Sequence, residues 1–448
     1  MLAVYLSPVY IVVNSYLLIR IHRWLSTCSP LFGKIWMRIL ISLAYSFLAV
    51  SILIAFFLPI GPVKRMMEWI SNYWLGVLLY LILIVLTMDV VCLLHFFIMK
   101  WKLYSSAQRF ANLLASALRK HLANWQIFGQ INMLWSIKCR SAMVGGICAG
   151  IVLALSAWGA YNARIIHVTP YDITVNKDGG KLGKLNVVLA ADLHLGYNIG
   201  TAHIIQMVDK INEQDADLVV IAGDIFDNEY EALDDPAGLI AVLQKIQSKY
   251  GVYACYGNHD VEEKILAGFT FGENKKKESS IQMDEFLDKA GIHLLRDEAV
   301  LIDDSFYLYG RPDAQRPGRG INKRKTAAEL MEGLDTQRPV IVIDHQPKEL
   351  QELADAGVDV DLGGHTHDGQ MFPANLVTAL MWENSYGYLK KGRMHTVVTS
   401  GVGLFGPNMR VGTVAEICPI TIHFQPQIRE ALDARLRKRR ITKLHDIS

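Results

Sequence analysis

Five short polar motifs, each at the end of an apolar run, lie between Asp192 and His367. They read Asp192-Leu193-His194, Gly223-Asp224-Ile225-Phe226-Asp227, Gly257-Asn258-His259-Asp260, Asp344-His345 and Gly364-His365-Thr366-His367. Together they supply Asp, Asn and His side chains in the number and kind that hold two divalent metals around a bridging water, a chemistry that hydrolyses phosphate esters. Carboxylates and imidazoles gathered in one cluster cost stability unless metals or protons neutralise them, so core design alone does not account for their convergence.

The elements that must position these motifs are legible in the preceding residues. The runs 185–190, 218–222, 252–256, 340–343 and 358–362 are short and rich in Val, Ile, Leu or Ala. Without sustained polar alternation, they suit strands buried on both faces. The polar motifs then fall at strand ends, where open α/β sheets place their ligands. Segments 202–214 and 236–249 are amphipathic, the second opening on Asp235-Pro236 as a helix start. The resulting βα alternation predicts a sheet with helices packed on it. Two polar stretches, 272–280 and 311–325, interrupt it and read as mobile loops. The second carries Arg311, Arg316, Arg319, Lys323, Arg324 and Lys325, either holding an anionic substrate or simply solvated.

The first third of the chain is a different kind of object. Of 448 residues 51% are hydrophobic, and eight of the nine tryptophans precede residue 160. Apolar stretches at 2–19, 35–60, 74–98 and 143–161 are each near the ~20 residues that cross a bilayer as a helix, so four transmembrane helices are expected. The first lacks the basic flank and cleavage pattern of a signal peptide. Arg20, Arg23, Lys34 and Arg38 fill the first connection, and Lys100, Lys102, Arg109, Arg119, Lys120, Lys138 and Arg140 the third; the second holds Lys64 and Arg65. The positive-inside rule puts connections one and three in the cytoplasm, and both termini and the metal-site domain outside. Within the third connection, Phe110, Leu113, Leu114, Leu118 and Leu122 line one face of a helix that lies along the inner leaflet or is an ordinary loop helix. Asp89, inside an apolar stretch, is expected either to hydrogen-bond a neighbour such as Asn14 or Ser42 or to serve function.

The domain reading is therefore a helical membrane region over 1–161, a connector over 162–184 with a hairpin signal at Lys177-Asp178-Gly179-Gly180, a catalytic domain over 185–426 and a basic tail over 427–448. The tail reads as a solvated helix end or a patch leaning on anionic lipids. Cys255 and Cys418 sit in apolar runs and read as buried free thiols. Nucleic acid is not an expected partner.

Taken in order, the five motifs resemble the calcineurin-like metallophosphoesterase family, over about 185–424. The closing Thr399-Ser400-Gly401-Val402-Gly403, with Arg410 and Glu416, is similar to a bacterial branch held at the outer membrane face by N-terminal helices. The resemblance implies a four-layer αββα sandwich of two mixed sheets with helices outside.

Roles follow from chemistry and from that resemblance. Asp192, His194 and His367 would hold one metal, with Asn258, His345 and His365 on the second and Asp224 bridging both. Nitrogen and oxygen ligands without thiolate suit manganese, iron or zinc over calcium. His259, next to a ligand in extended chain, points away from it and is free to protonate the leaving oxygen, with Asp260 holding its tautomer. Asp227 reads as an orienter. Asp368 stands where many relatives have Gly, and is expected to alter access or charge preference. The leading expectation is a membrane-anchored phosphoesterase acting on diesters or pyrophosphates of envelope or lipid-linked substrates. The alternatives are a metal-binding sensor signalling through the helices and, on Asp89 and His95 alone, a transporter.

Overall fold

A computed structural model describes residues 2–104, 126–263, 265–266, 269–270 and 279–425. The amphipathic segment 110–122, most of the loop 272–280 and the basic tail lie outside the described residues. The chain divides into two compact units: 1–57 with 70–158, and 58–69 with 159–448.

Among the described residues, four helices run through the N-terminal region: α1 Leu2–Cys28, α2 Ile35–Phe57, α3 Pro62–Tyr104 and α4 Gln126–Asn162. Among the described residues, Ile35–Phe57, Pro62–Ile98 and Ser141–Asn162 are long and apolar enough to cross a membrane. The stretch 2–19 forms the first part of α1, and its opening residues lie outside those whose side chains are described. Leu17, Tyr45, Ala49, Trp74 and Leu78 make a common core of α1, α2 and α3, with Tyr45 edge-on to Trp74 at 5.2 Å. Asp89 does not bond Asn14 or Ser42. Arg20 Nη2 lies 2.8 Å from its carboxylate and Tyr16 donates its hydroxyl to it, while Asn14 accepts from Tyr45 and Ser42 meets His22. The basic partner comes from the connection after the first apolar stretch, because α1 continues through it.

In the second unit, β1 Ile166–Val168, β2 Tyr171–Val175, β3 Lys184–Ala190, β4 Leu218–Ala222 and β5 Val252–Cys255 are followed by a small hairpin, β6 Ile265–Leu266 and β7 Phe269–Thr270. Then come β8 Ile292–Leu294, β9 Glu298–Ile302, β10 Phe306–Arg311, β11 Val340–Asp344, β12 Val360–Gly363, β13 Gly387–Lys391, β14 Met394–Val398 and β15 Ala415–Phe424. One sheet has the order β1-β15-β3-β4-β5-β8 with β2 also on β15, and the other β13-β14-β12-β11-β10-β9. The segment 162–184 does not fold back as a strand hairpin. β1 and β2 both run parallel to the ten-residue β15, β1 on 415–417 and β2 on 420–424, either side of Pro419.

Side-chain alternation in β4 shows how the layers form. Leu218, Val220 and Ala222 join Leu308, Ile341, Ile343, Val360 and Leu362 of the other sheet in the inter-sheet core. Val219 and Ile221 point the opposite way, into a core with Ile204, Met207, Leu239 and Phe286. Those residues come from α5 Thr201–Asn212, α6 Pro236–Leu243 and α7 Ile281–Lys289. On the far side, Leu330, Leu350 and Leu353 of α8 Ala327–Met331 and α9 Leu350–Ala356 cover Val340 and Val342. This is the expected four-layer arrangement, and it explains why the central strands read as continuous apolar runs: both faces of β4 and β11 are buried.

Candidate metal centre

The C-terminal ends of β3, β4, β5, β11 and β12 each release the chain into one of the five motifs. The backbone there is unusual: Asp192 (φ 53°), His194 (φ 45°), Asp224 (φ 49°), His365 (φ 74°) and His367 (φ 51°) all adopt left-handed conformations. Such conformations cost non-glycine residues roughly 1–3 kcal/mol each and persist at sites the surrounding fold over-determines. Two glycines allow the loops to close in. A Cβ on Gly257 would stand 2.2 Å from Asp224 Oδ1, and one on Gly364 2.4 Å from Asp192 Oδ2.

The turns bring the predicted ligands together in two triads. Asp192, His194 and His367 offer donor atoms all within 4.8 Å of one another, as do Asp224, His345 and His365. Asp224 Oδ2 links the two, 3.0 Å from His345 Nε2 and 3.8 Å from His194 Nε2. Ring nitrogens confront each other, His194 Nε2 with His367 Nε2 at 3.0 Å and His345 Nε2 with His365 Nδ1 at 3.2 Å. His345 Nδ1 donates to the carbonyl of Ala222 at 2.8 Å, which turns Nε2 inward, toward Asp224, where it could ligate a metal. Asn258, half-buried, accepts from Gln346 through Oδ1 at 3.3 Å.

The electrostatics ask for cations. Burial lowers the pKa of His345, yet the Asp224 carboxylate overrides it and carries the ring to about 10. Burial raises Asp192 to about 6, against the pull of His345. Burial and then His345 push His365 down to about 3. Burial lowers the pKa of His194 too, yet the carboxylates of Asp227, Asp224 and Asp192 raise it above its ordinary value, and imidazoles held protonated by carboxylates beside rings held neutral mark positions that divalent ions fit.

Around the ligands stand residues of other kinds. His259 donates its backbone N–H to Asp224 Oδ1 at 2.8 Å, and its ring is edge-on to His194 at 5.1 Å. The hydrogen bond expected from Asp260 to that ring is not formed. Both Asp260 oxygens are occupied by backbone amides, Phe226 at 2.9 Å and Gly257 at 2.7 Å, so this carboxylate ties the second motif to the third. The partner of His259 Nδ1 is instead the buried Asn228, a residue the sequence reading passed over. Asp227 faces His194 Nδ1 at 3.6 Å, beyond hydrogen-bond length.

Phe405 was also missed. Its ring lies 4.8 Å from that of His259, 5.7 Å from His194 and 6.5 Å from His367, an apolar wall over three imidazoles. Gln370 holds the Phe405 loop, donating to the carbonyls of Phe405 and Pro407 and accepting from the Phe405 amide. The closing motif works from behind. Fully buried Arg410 donates to carbonyls of Ser400, Gly401, Gly403 and Val414 and stands 3.3 Å from His367 Nδ1. Glu416 accepts from Ser400 N and Thr399 Oγ1.

The basic loop 311–325 is largely neutralised. Arg311 and Arg324 pair with Asp344 at 2.9 and 3.1 Å and both reach Glu349; Arg319 pairs with Asp284. Arg316 comes nearest the centre, donating to the carbonyl of Asn258 at 2.8 Å and pairing with Glu263 at 3.1 Å. Cys255 and Cys418 are buried and unpaired by disulfide, as expected.

Comparison with known proteins agrees with this geometry. Residues 185–369 match the model of the calcineurin-like phosphoesterase family. A transmembrane protein with metallophosphoesterase domain from Danio rerio is 29% identical over 66% of this chain and 69% of its own. An uncharacterized metallophosphoesterase from Aquifex aeolicus is 29% identical over 61% of this chain and 97% of its own, and one from Campylobacter jejuni 30% over 52% and 58%. This chain carries a calcineurin-like metallophosphoesterase domain, a metal-dependent phosphoric ester hydrolase, behind a set of long apolar helices.

Proposed function

We propose that the chain is a multi-pass membrane enzyme whose catalytic domain lies outside the cytoplasm and cleaves phosphodiester or pyrophosphate bonds of envelope or lipid-linked substrates with two metal ions. The observation that carries the reading is the pair of ligand triads joined through Asp224. When bound, divalent ions supply Lewis-acid stabilisation of the phosphoryl charge and an activated water. Asp192, His194 and His367 would hold one ion, Asn258, His345 and His365 the other, and Asp224 both.

The protein's own groups do the rest. His259 carries its Nδ1 proton toward Asn228, which leaves Nε2 to exchange a proton with the leaving oxygen. Burial holds this ring neutral, with its pKa lowered to about 4, and an anionic phosphate beside it raises that value. Phe405 excludes water on the same side.

Sidedness is supported by the second connection. Residues 58–69 belong to the catalytic unit, where Lys64 pairs with Glu229 at 2.9 Å and Arg65 with Asp234 at 3.3 Å. The connection with fewest basic residues is thus neutralised and accompanies the catalytic domain, on the outer face by the positive-inside rule.

Purified full-length protein with added manganese, assayed on phosphodiesters, monoesters, pyrophosphates and phospholipids, tests the substrate class. Diesters or pyrophosphates are expected to turn over fastest, and a marked monoester preference contradicts the reading. A cysteine at exposed Lys289 should react in intact cells with a membrane-impermeant reagent; reaction only after lysis reverses the topology.

A further inference from the structure

Directly after the His365-Thr366-His367 motif, the chain turns through Gly369 and Gln370 into α10, Ala374–Met381, with the sequence ANLVTALM. None of its eight residues is buried. Leu376 and Val377 are exposed, Leu380 is 89% exposed and Met381 71% exposed, and Phe372 just before the helix is exposed as well. A helix with no residue in its own domain's core and four bare aliphatic side chains gains nothing from folding there in water, and such a patch marks a contact surface.

Three observations say what covers it. First, α10 is rooted at the point where the last apolar helix ends. Ser141–Asn162 is long and apolar enough to cross a membrane, and its final residues are held by the strip 409–413. Arg410 N donates to Gly159 O at 2.9 Å, and Asn162 Nδ2 donates to the carbonyls of Arg410 and Thr413. The same strip anchors the base of α10, with Met371 bridged to Val411 and Phe372 N donating to Val411 O at 2.7 Å. Second, aromatic and basic residues follow the helix, as they do at the head-group level of membrane proteins: Trp382, the exposed Tyr386 and Tyr388, Lys390 near the end of β13 and Arg393 in the turn of the β13–β14 hairpin. Lys348 stands over the Trp382 ring at 5.2 Å. Third, four apolar residues of the segment 58–69 in this unit, Ile60, Val63, Met66 and Trp69, are exposed too, while Met67 is buried.

We propose that α10 is an interfacial helix that dips its aliphatic residues into the outer surface of the bilayer in which the chain is embedded. Both ends are fastened to the metal centre. Its entry runs on from His367, and Trp382 at its exit lies edge-on to His365 with ring centroids 5.1 Å apart. Docking therefore turns the metal-site mouth toward the head-group layer. If the phosphoesterase reading holds, on which this consequence rests, the site receives amphipathic phosphate esters whose phosphorus already lies at that depth, their apolar parts remaining in the bilayer beside α10.

The test uses the full-length chain, with Cys28, Cys92, Cys139 and Cys148 replaced by Ser and an environment-sensitive dye on Leu380→Cys. A parallel sample carries the dye on Lys289→Cys, an exposed position at the end of α7. Both go into phosphatidylethanolamine–phosphatidylglycerol vesicles containing lipids with a nitroxide in the upper acyl chain. The proposal expects the Leu380 dye to be blue-shifted and quenched severalfold more than the Lys289 dye, and shielded from aqueous iodide. Equal quenching of the two dyes, with iodide reaching both, overturns it. So does a Leu380 dye shielded from iodide but untouched by lipid nitroxide, the mark of a protein partner or a second copy. Val377→Cys repeats the measurement should Leu380→Cys misfold. Hydrolysis of a water-soluble nitrophenyl diester by the same vesicles is read separately: its absence removes the phosphoesterase reading and leaves the depth result standing.

Discussion

Asp344 and His345 are neighbours at the end of one strand, and they serve two buried charged clusters of opposite design. Asp344 points to Arg311 and Arg324, with Glu349 completing a set of two cations and two carboxylates. His345 points to Asp224, among imidazoles and carboxylates. The first cluster carries its own counterions and is complete. The second has no Arg or Lys to answer its carboxylates; they raise the pKa of His345 and of His194 instead, which is the electrostatic setting that suits a metal ion. Alternation along a strand thus lets one sequence position lock the fold and the next one carry the chemistry.

The comparison can be broken in several ways. The largest effect expected is from chelation: removing metal from the purified enzyme should reduce phosphoester hydrolysis to background, with recovery on adding manganese, iron or zinc. Because the first cluster needs no ion, circular dichroism should show the fold intact throughout. Unfolding on chelation would mean that the metal centre is structural.

Loss of the proton carrier comes next. His259→Ala should slow esters with poor leaving groups by about 10²–10⁴-fold, the usual worth of general acid–base catalysis, and spare nitrophenyl esters, while metal content stays unchanged. Equal losses across leaving groups of widely different pKa would reduce His259 to a supporting role.

Breaking the self-contained cluster should behave differently. Asp344→Ala leaves Arg311 and Arg324 buried beside a single carboxylate, and breaking such a pair costs about 3–5 kcal/mol. Denaturant unfolding should register that loss, whereas metal affinity per folded molecule changes little. A variant of unchanged stability that has lost metal would merge the two clusters into one.

The smallest effect is one of pH. In the metal-free protein His345 keeps its proton up to about pH 10, so a binding ion must displace it across the neutral range. Affinity should therefore fall as pH drops, by about tenfold per unit for each proton released. Titration calorimetry in buffers of different ionisation enthalpy counts those protons, and a pH-independent affinity would show that none is displaced.

What the sequence disclosed, and what it hid, follows from the range of the interactions. The strand 218–222 is legible to the residue because both faces are buried and Gly223-Asp224 ends it. The metal-ligand candidates stand at strand ends for the same reason. The tautomer partner of His259 was read as Asp260, the adjacent residue, but two backbone amides claim that carboxylate and Asn228 reaches the ring from another motif. Proximity in sequence is a poor guide once loops from different strands converge. Phe405 and Gln370 act through contacts between segments that no local pattern links. The stretch 311–325 with its six basic residues reads as a mobile loop, yet its acidic partners lie on β11, before α9 and on α7, where charge patterning does not look. The helix α10 is eight residues long, with Asn375 and Thr378 as its polar residues, too short for amphipathic periodicity or a membrane-length run to announce it.

The central claim is that two ions share one site through Asp224, and elemental analysis beside turnover tests it most directly. Purified wild-type protein should carry two divalent ions per chain and hydrolyse a phosphodiester. Asp224→Asn should fold and insert normally, lose most of both ions and show no turnover. A folded Asp224→Asn protein with two ions and normal turnover would contradict the account.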